Sequence, residues 1–140
     1  MAKLQNYARL FFFLVAGLFM VLPASAELSP ETISGATTVD ATKAKSLFEQ
    51  GVKFLDVRSN ADFEAGRVPS AIHIELKKKL NEESMEARVS KDEPVVIYCN
   101  GWSCLRASKA TSKAIKWGYS KVYYFRDGFP SWQTANFPIE

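Results

Sequence analysis

From residue 37 onward, short apolar runs alternate with stretches of helical spacing. Thr37-Thr38-Val39 reads as a short strand, and Asp40 as the N-cap of a helix that carries Ala41, Ala44, Leu47 and Phe48 on one face and stops at Gly51. Val52-Lys53-Phe54-Leu55-Asp56-Val57 has the nearly continuous apolar character of a buried strand. Residues 60–66 predict one capped helical turn closed by Gly66. Pro69 breaks the chain, and Ala71-Ile72-His73-Ile74 is a third apolar strand. Leu76, Leu80 and Ala87 predict a helix over 76–89, and Pro94 precedes the strand Val95–Tyr98. The spacing of Ala107, Ala110, Ala114 and Ile115 predicts a helix over 106–117, ended by Gly118. Val122–Phe125 is the last strand and Asp127-Gly128 a turn. A closing helix begins at Phe129-Pro130-Ser131-Trp132 and ends before Pro138. Strands alternating with helices predict an α/β fold: one domain over 36–140, with a central five-stranded, mostly parallel sheet and helices on both faces.

The first 26 residues have a different pattern. Lys3 and Arg9 form a positive n-region, Leu10–Leu22 is an apolar run of 13 residues, and Ala24-Ser25-Ala26 is a small-x-small cleavage site. This is the layout of a secretory signal peptide, with a mature chain expected to begin at Glu27 in the periplasm and no membrane attachment after cleavage. The alternative is an uncleaved anchor, for which the run is short, since a spanning helix needs about 20 residues. Residues 27–35, polar with Pro30 and Gly35, read as a loose N-terminal segment.

Charge changes little in this picture. The leader holds two of the 18 basic residues and none of the 15 acidic ones, so the remainder carries a net charge of +1. Lys77-Lys78-Lys79 is followed at once by Asn81-Glu82-Glu83. Helical pairing of Lys78 with Glu82 and Lys79 with Glu83 would make it a mixed, solvated face, with no nucleic-acid partner expected. His73 is the only histidine, and with two cysteines it makes a poor zinc set, so no metal or cofactor is expected. His73 itself reads as a hydrogen-bonded core residue, and Trp132, Phe129 and Tyr124 read as core packing.

The chemistry centres on the strand Val95–Tyr98 and the loop at its C-terminal end. The strand ends in Cys99, a small polar loop (Asn100, Gly101, Trp102, Ser103, Cys104) comes next, and Arg106 opens a helix. In an open α/β sheet ligands bind at that end of a strand. Loop N–H groups backed by a helix N-terminus favour an anion, so Cys99 is expected to ionise more readily than a free cysteine.

Three segments together resemble the rhodanese family in its single-domain form. They are Leu55-Asp56-Val57-Arg58 with Asp62–Ile74, then Val96-Ile97-Tyr98-Cys99, then Gly118-Tyr119 with Val122–Phe125 and Gly128–Trp132. The likeness spans about residues 36–140. Arg67 stands where the family usually has histidine, and Asp127 where it usually has glycine. The loop departs more: Cys99 to Arg106 spans eight residues, longer than in typical sulfurtransferases of the family or in the related phosphatases, and the added length brings in Cys104.

The resemblance implies sulfur transfer. Cys99 would be the nucleophile, taking sulfane sulfur from thiosulfate, polysulfide or a protein persulfide, holding it as a persulfide, and passing it to a thiol or cyanide. Asn100, Gly101, Trp102 and Ser103 would supply backbone donors, Trp102 would wall the pocket from water, and Arg106 would orient the anionic donor. Cys104 reads as an auxiliary, resolving thiol. The alternatives are that Cys104 is the nucleophile or that the two cysteines form a structural disulfide. Asp56 and Arg58, with Glu64, read as a tie between strand end and turn. Three other functions stay open: a thiol–disulfide protein cycling Cys99–Cys104 with a protein redox partner, phosphatase or arsenate reductase chemistry, and a non-catalytic binding module.

Overall fold

The computed structural model describes residues 20–140. The leader expected over 1–26 falls largely on residues 1–19, outside the described residues. Five strands form one sheet: β1 (Ala36–Thr38), β2 (Lys53–Asp56), β3 (Ile72–His73), β4 (Val95–Tyr98) and β5 (Val122–Phe125). Their order is β1-β5-β4-β2-β3, and every ladder is parallel. β4 is central, and all four of its residues are buried, as a strand covered on both faces requires. Among the described residues no helix is long and apolar enough to cross a membrane.

Alternation along the strands divides the core in two. Leu55, Val95, Ile97 and Cys99 face a layer built from α3 (Glu82–Glu86) and α4 (Arg106–Lys116), where Met85, Ala107, Ala110 and Ala114 are buried. Phe54, Val96, Tyr98 and Phe125 face α1 (Ala41–Glu49) and α5 (Gly128–Thr134). Trp132 of α5 is fully buried there, edge-on to Phe48, Phe54 and Phe137, and its indole N–H donates to the Pro138 carbonyl at 2.7 Å. Burial of so large a ring with its one donor satisfied makes this the anchor of the second layer. The remaining helix, α2 (Asn60–Ala65), is the expected single turn, capped by Ser59 and closed by Gly66.

Four expectations need correction. The helix expected over 76–89 is the five-residue α3, preceded by turns at 76–79. Asn81 is the reason: its side chain accepts from the Ser84 N–H while Ser84 Oγ accepts from the Asn81 N–H, a capping box that starts a new helix and bars the chain from running through. The pairing of Lys78 with Glu82 and Lys79 with Glu83 therefore does not form. Glu82 pairs instead with Lys91, at 2.5 Å. The N-terminal segment is also not loose where it meets the domain. Ser29 is buried, its N–H donates to the Trp102 carbonyl at 2.7 Å, and Tyr124 Oη donates to the Pro30 carbonyl at 3.1 Å. Val39 lies just past β1 rather than in it, with its N–H donating to the Tyr124 carbonyl.

Candidate active site

Strand register assembles the site. Asp56 pairs with Tyr98 and Tyr98 with Phe125, so the residues after β2, β4 and β5 emerge together at one sheet edge. These are Val57-Arg58, Cys99-Asn100 and Arg126-Asp127. Cys99 is buried and points into the α4 layer. Two backbone constraints hold it. Its carbonyl accepts from the Phe129 N–H at 2.9 Å, and Gly128 packs so closely that a Cβ there would lie 2.4 Å from that same oxygen.

The loop then folds back on itself. Gly101 takes φ +100°, and its carbonyl accepts from the Cys104 N–H at 3.0 Å, closing a turn. The turn carries Cys104 over Cys99, and the two sulfurs are joined as a disulfide, with Cα atoms 6.5 Å apart. That separation lies within the range a disulfide spans without backbone movement. Among the described residues, the N–H groups of Gly101, Trp102 and Ser103 donate to no other protein group. α4 begins just beyond, at Arg106, and its N-cap residue Leu105 makes no side-chain cap, so the helix's first N–H groups are left uncapped next to the loop. Free donors and an uncapped helix start together favour an anion at this place.

Side chains fix the loop from both flanks. Asn100 bridges: its Nδ2 donates to Asp62 Oδ2 at 3.0 Å, and its Oδ1 accepts from Arg58 Nη1 at 3.4 Å. The bond from Asn100, then that with Ser59, holds the Asp62 carboxyl below its ordinary range. Arg58 is buried and makes a two-pronged pair with Asp56: Nη2 donates to Oδ2 at 2.7 Å and Nε to Oδ1 at 3.0 Å. Burial alone would lower the Arg58 guanidinium, but the Asp56 carboxylate outweighs it and its pKa is raised. Nη2 also donates to the Gly66 carbonyl, at 2.7 Å. The strand-end tie is thus as expected, except that Glu64 takes no part. It is exposed and accepts from Asn60. His73 donates from Nε2 to the Arg58 carbonyl and stacks on Phe63, in keeping with a structural role.

On the other flank Trp102 Nε1 donates to Asp127 Oδ1 at 2.5 Å, and the Arg126 guanidinium lies 5.3 Å from the indole centroid. Arg126 also donates to Ser29, so the N-terminal segment, the last strand and the loop are tied at one point. Trp102 is 56% exposed and therefore does not seal the pocket from water. It instead forms one wall of an open cleft of about 530 Å³ with Leu28, Asp127 and Pro130. A second cleft, of about 480 Å³, opens beside Cys104 and is lined by Leu76, Lys77, Leu105, Arg106 and Lys109. Arg106 lines this cleft, and its charge also contributes to holding the Asp62 carboxyl low. Among the described residues no cluster of metal-ligating side chains occurs.

Of the residues singled out in the sequence, Asn100, Gly101, Trp102 and Ser103 line the first cleft, Cys104 and Arg106 line the second, and Cys99 is buried and joined to Cys104. Sequence reasoning did not assign Asp62, Asp127, Arg126, Ser29, Lys77 and Lys109 to the site. Lys109 was within reach, because it lies three residues after Arg106 on one helix and so shares its face. Ser29 was not, because its partners lie far along the chain.

Known proteins are similar to this chain in sequence and fold. The chain is 29% identical over 120 residues to the Arabidopsis thaliana mitochondrial protein HIGH ARSENIC CONTENT 1, covering 79% of this chain and 70% of that protein. It is 27% identical over 113 residues to thiosulfate sulfurtransferase 18 of the same plant, covering 73% and 82%. Among solved structures, the BH2092 protein of Bacillus halodurans superposes with a TM-score of 0.67 at 27% identity, covering 75% of this chain and 77% of that one. The model of the rhodanese-like domain matches residues 40–135, which include every strand except β1 and the whole loop. The chain belongs to the rhodanese-like domain family.

Proposed function

We propose that this protein is an exported sulfurtransferase that moves sulfane sulfur through a Cys99 persulfide. The thiolate attacks an anionic donor such as thiosulfate, sulfite leaves, and the persulfide sulfur passes to a thiol or cyanide. The observation that carries the reading is the place of Cys99. It ends the central strand of the sheet, under a loop whose N–H groups are free and in front of an uncapped helix start. Those donors stabilise the thiolate, and equally the persulfide anion that replaces it. The basic cleft of Lys77, Arg106 and Lys109 supplies the field that draws a small dianion to the loop. The sulfurtransferase relative supports the same chemistry. The apolar run and small-x-small site at the start of the chain support action in the periplasm.

The test uses protein reduced and freed of reductant, then given thiosulfate under anaerobic conditions. The wild type is expected to release about one sulfite per chain, and Cys99→Ser none, since sulfite leaves only when the nucleophile takes the outer sulfur. Sulfite release that survives in Cys99→Ser would overturn the assignment.

A further inference from the structure

We propose that Cys104 is a second catalytic thiol that resolves the Cys99 persulfide, so that the protein reduces sulfane sulfur to hydrosulfide and finishes as the Cys99–Cys104 disulfide. This rests on the Cys99 persulfide reading above and adds the fate of the sulfur. A resolving thiol must reach the inner sulfur of the persulfide without unfolding the loop. Here the turn closed by Cys104 N–H and the Gly101 carbonyl already seats Cys104 Sγ against Cys99 Sγ. Holding the two groups in one short loop makes their reaction intramolecular and fast relative to any external thiol.

The step balances without an outside oxidant. The Cys104 thiolate attacks Cys99 Sγ and forms the new S–S bond. The bond between Cys99 Sγ and the outer sulfur breaks, and its electron pair goes to the outer sulfur. That sulfur takes up the proton given up by the Cys104 thiol and leaves as hydrosulfide. The two thiols are oxidised by two electrons, and the sulfane sulfur is reduced by two. Hydrosulfide is an anion, and the cleft beside Cys104 is lined by Lys77, Arg106 and Lys109.

The exposure of the two sulfurs indicates how the cycle resets. Cys99 is 1% exposed, whereas Cys104 is half-buried at the edge of the cleft. Thiol–disulfide exchange proceeds at the accessible sulfur. A dithiol reductant therefore attacks Cys104 from the cleft, and Cys99 leaves as a thiolate, already at its place of work. The protein thus requires a dithiol donor downstream. Until one acts, the disulfide form cannot accept sulfur.

The experiment is a single turnover of reduced full-length protein with thiosulfate and no reductant, following sulfite, trapped hydrosulfide and intact mass. The wild type is expected to release about one sulfite and about one hydrosulfide per chain and to end about 2 Da below its reduced mass. Cys104→Ser and Cys104→Ala are expected to release sulfite but no hydrosulfide, and to end about 32 Da above their reduced mass. Wild type that releases sulfite and keeps the added sulfur overturns the resolving role and leaves the sulfurtransferase reading standing, whatever the variants do. Loss of about 2 Da without sulfite overturns both and makes the pair a plain redox couple.

Discussion

Gly128 shows how strictly single residues are constrained at the loop. Its φ is +65°, and a Cβ there would lie 2.4 Å from the Cys99 carbonyl oxygen and 2.7 Å from the Gly101 nitrogen, both backbone atoms that cannot swing aside. Gly51 has φ +80° but nothing within 4 Å of the same position. The two glycines separate conformational strain from collision. Gly51→Ala is expected to cost about 1 kcal/mol from the left-handed backbone alone, and Gly128→Ala about 2–4 kcal/mol once overpacking is added. Denaturant midpoints at constant slope check this. Gly128→Ala is also expected to slow sulfite release, because relief of the clash must move Cys99. Equal losses at both positions would show that the loop yields to a methyl group.

At the scale of elements, most boundaries follow from local chemistry. Asp40 and Ser59 cap α1 and α2, each accepting from the N–H three residues on, and both caps stand where apolar periodicity begins. The long helix expected over 76–89 does not form for the same kind of reason. A polar pair, Asn81 and Ser84, offers the backbone a better start than continuation of the Leu76–Leu80 stripe. Capping here overrides periodicity, although both signals are present in the sequence. Asn81→Ala is expected to cost about 1 kcal/mol through the lost cap. Thermal unfolding measures it, and no change would mean that the packing of Met85, which is fully buried, holds α3 without the cap.

At the scale of the whole molecule, one point ties distant parts of the chain. Arg126 follows β5, donates to the Ser29 carbonyl at 2.7 Å, and lies over Trp102 of the loop. Ser29 in turn donates to the Trp102 carbonyl. Arg126→Ala is expected to free the N-terminal segment, and the Ser29 amide, protected in the wild type, would then exchange with solvent at least about tenfold faster, as for locally opened structure. Amide exchange read at Ser29 checks this. Retained protection would mean that the Tyr124–Pro30 bond suffices to hold the segment.

The alternation of strands and helices, the central position of an all-apolar β4, and a cysteine at its end were legible in the sequence, because each depends on residues near one another along the chain. The Asp56–Arg58 tie was legible for the same reason, at a separation of two residues. The site's surroundings were not. Strand order and register decided that Asp62 meets Asn100, that Asp127 meets Trp102, and that Ser29 meets the loop, across separations of 38, 25 and 73 residues. The joining of the two thiols was decided by the turn at Gly101, which reverses the chain so that a spacing of five residues becomes a bond. Local propensity sets which elements form. Only the packing of those elements into one parallel sheet, which must bury both faces and bring one set of strand ends together, sets which side chains share the site.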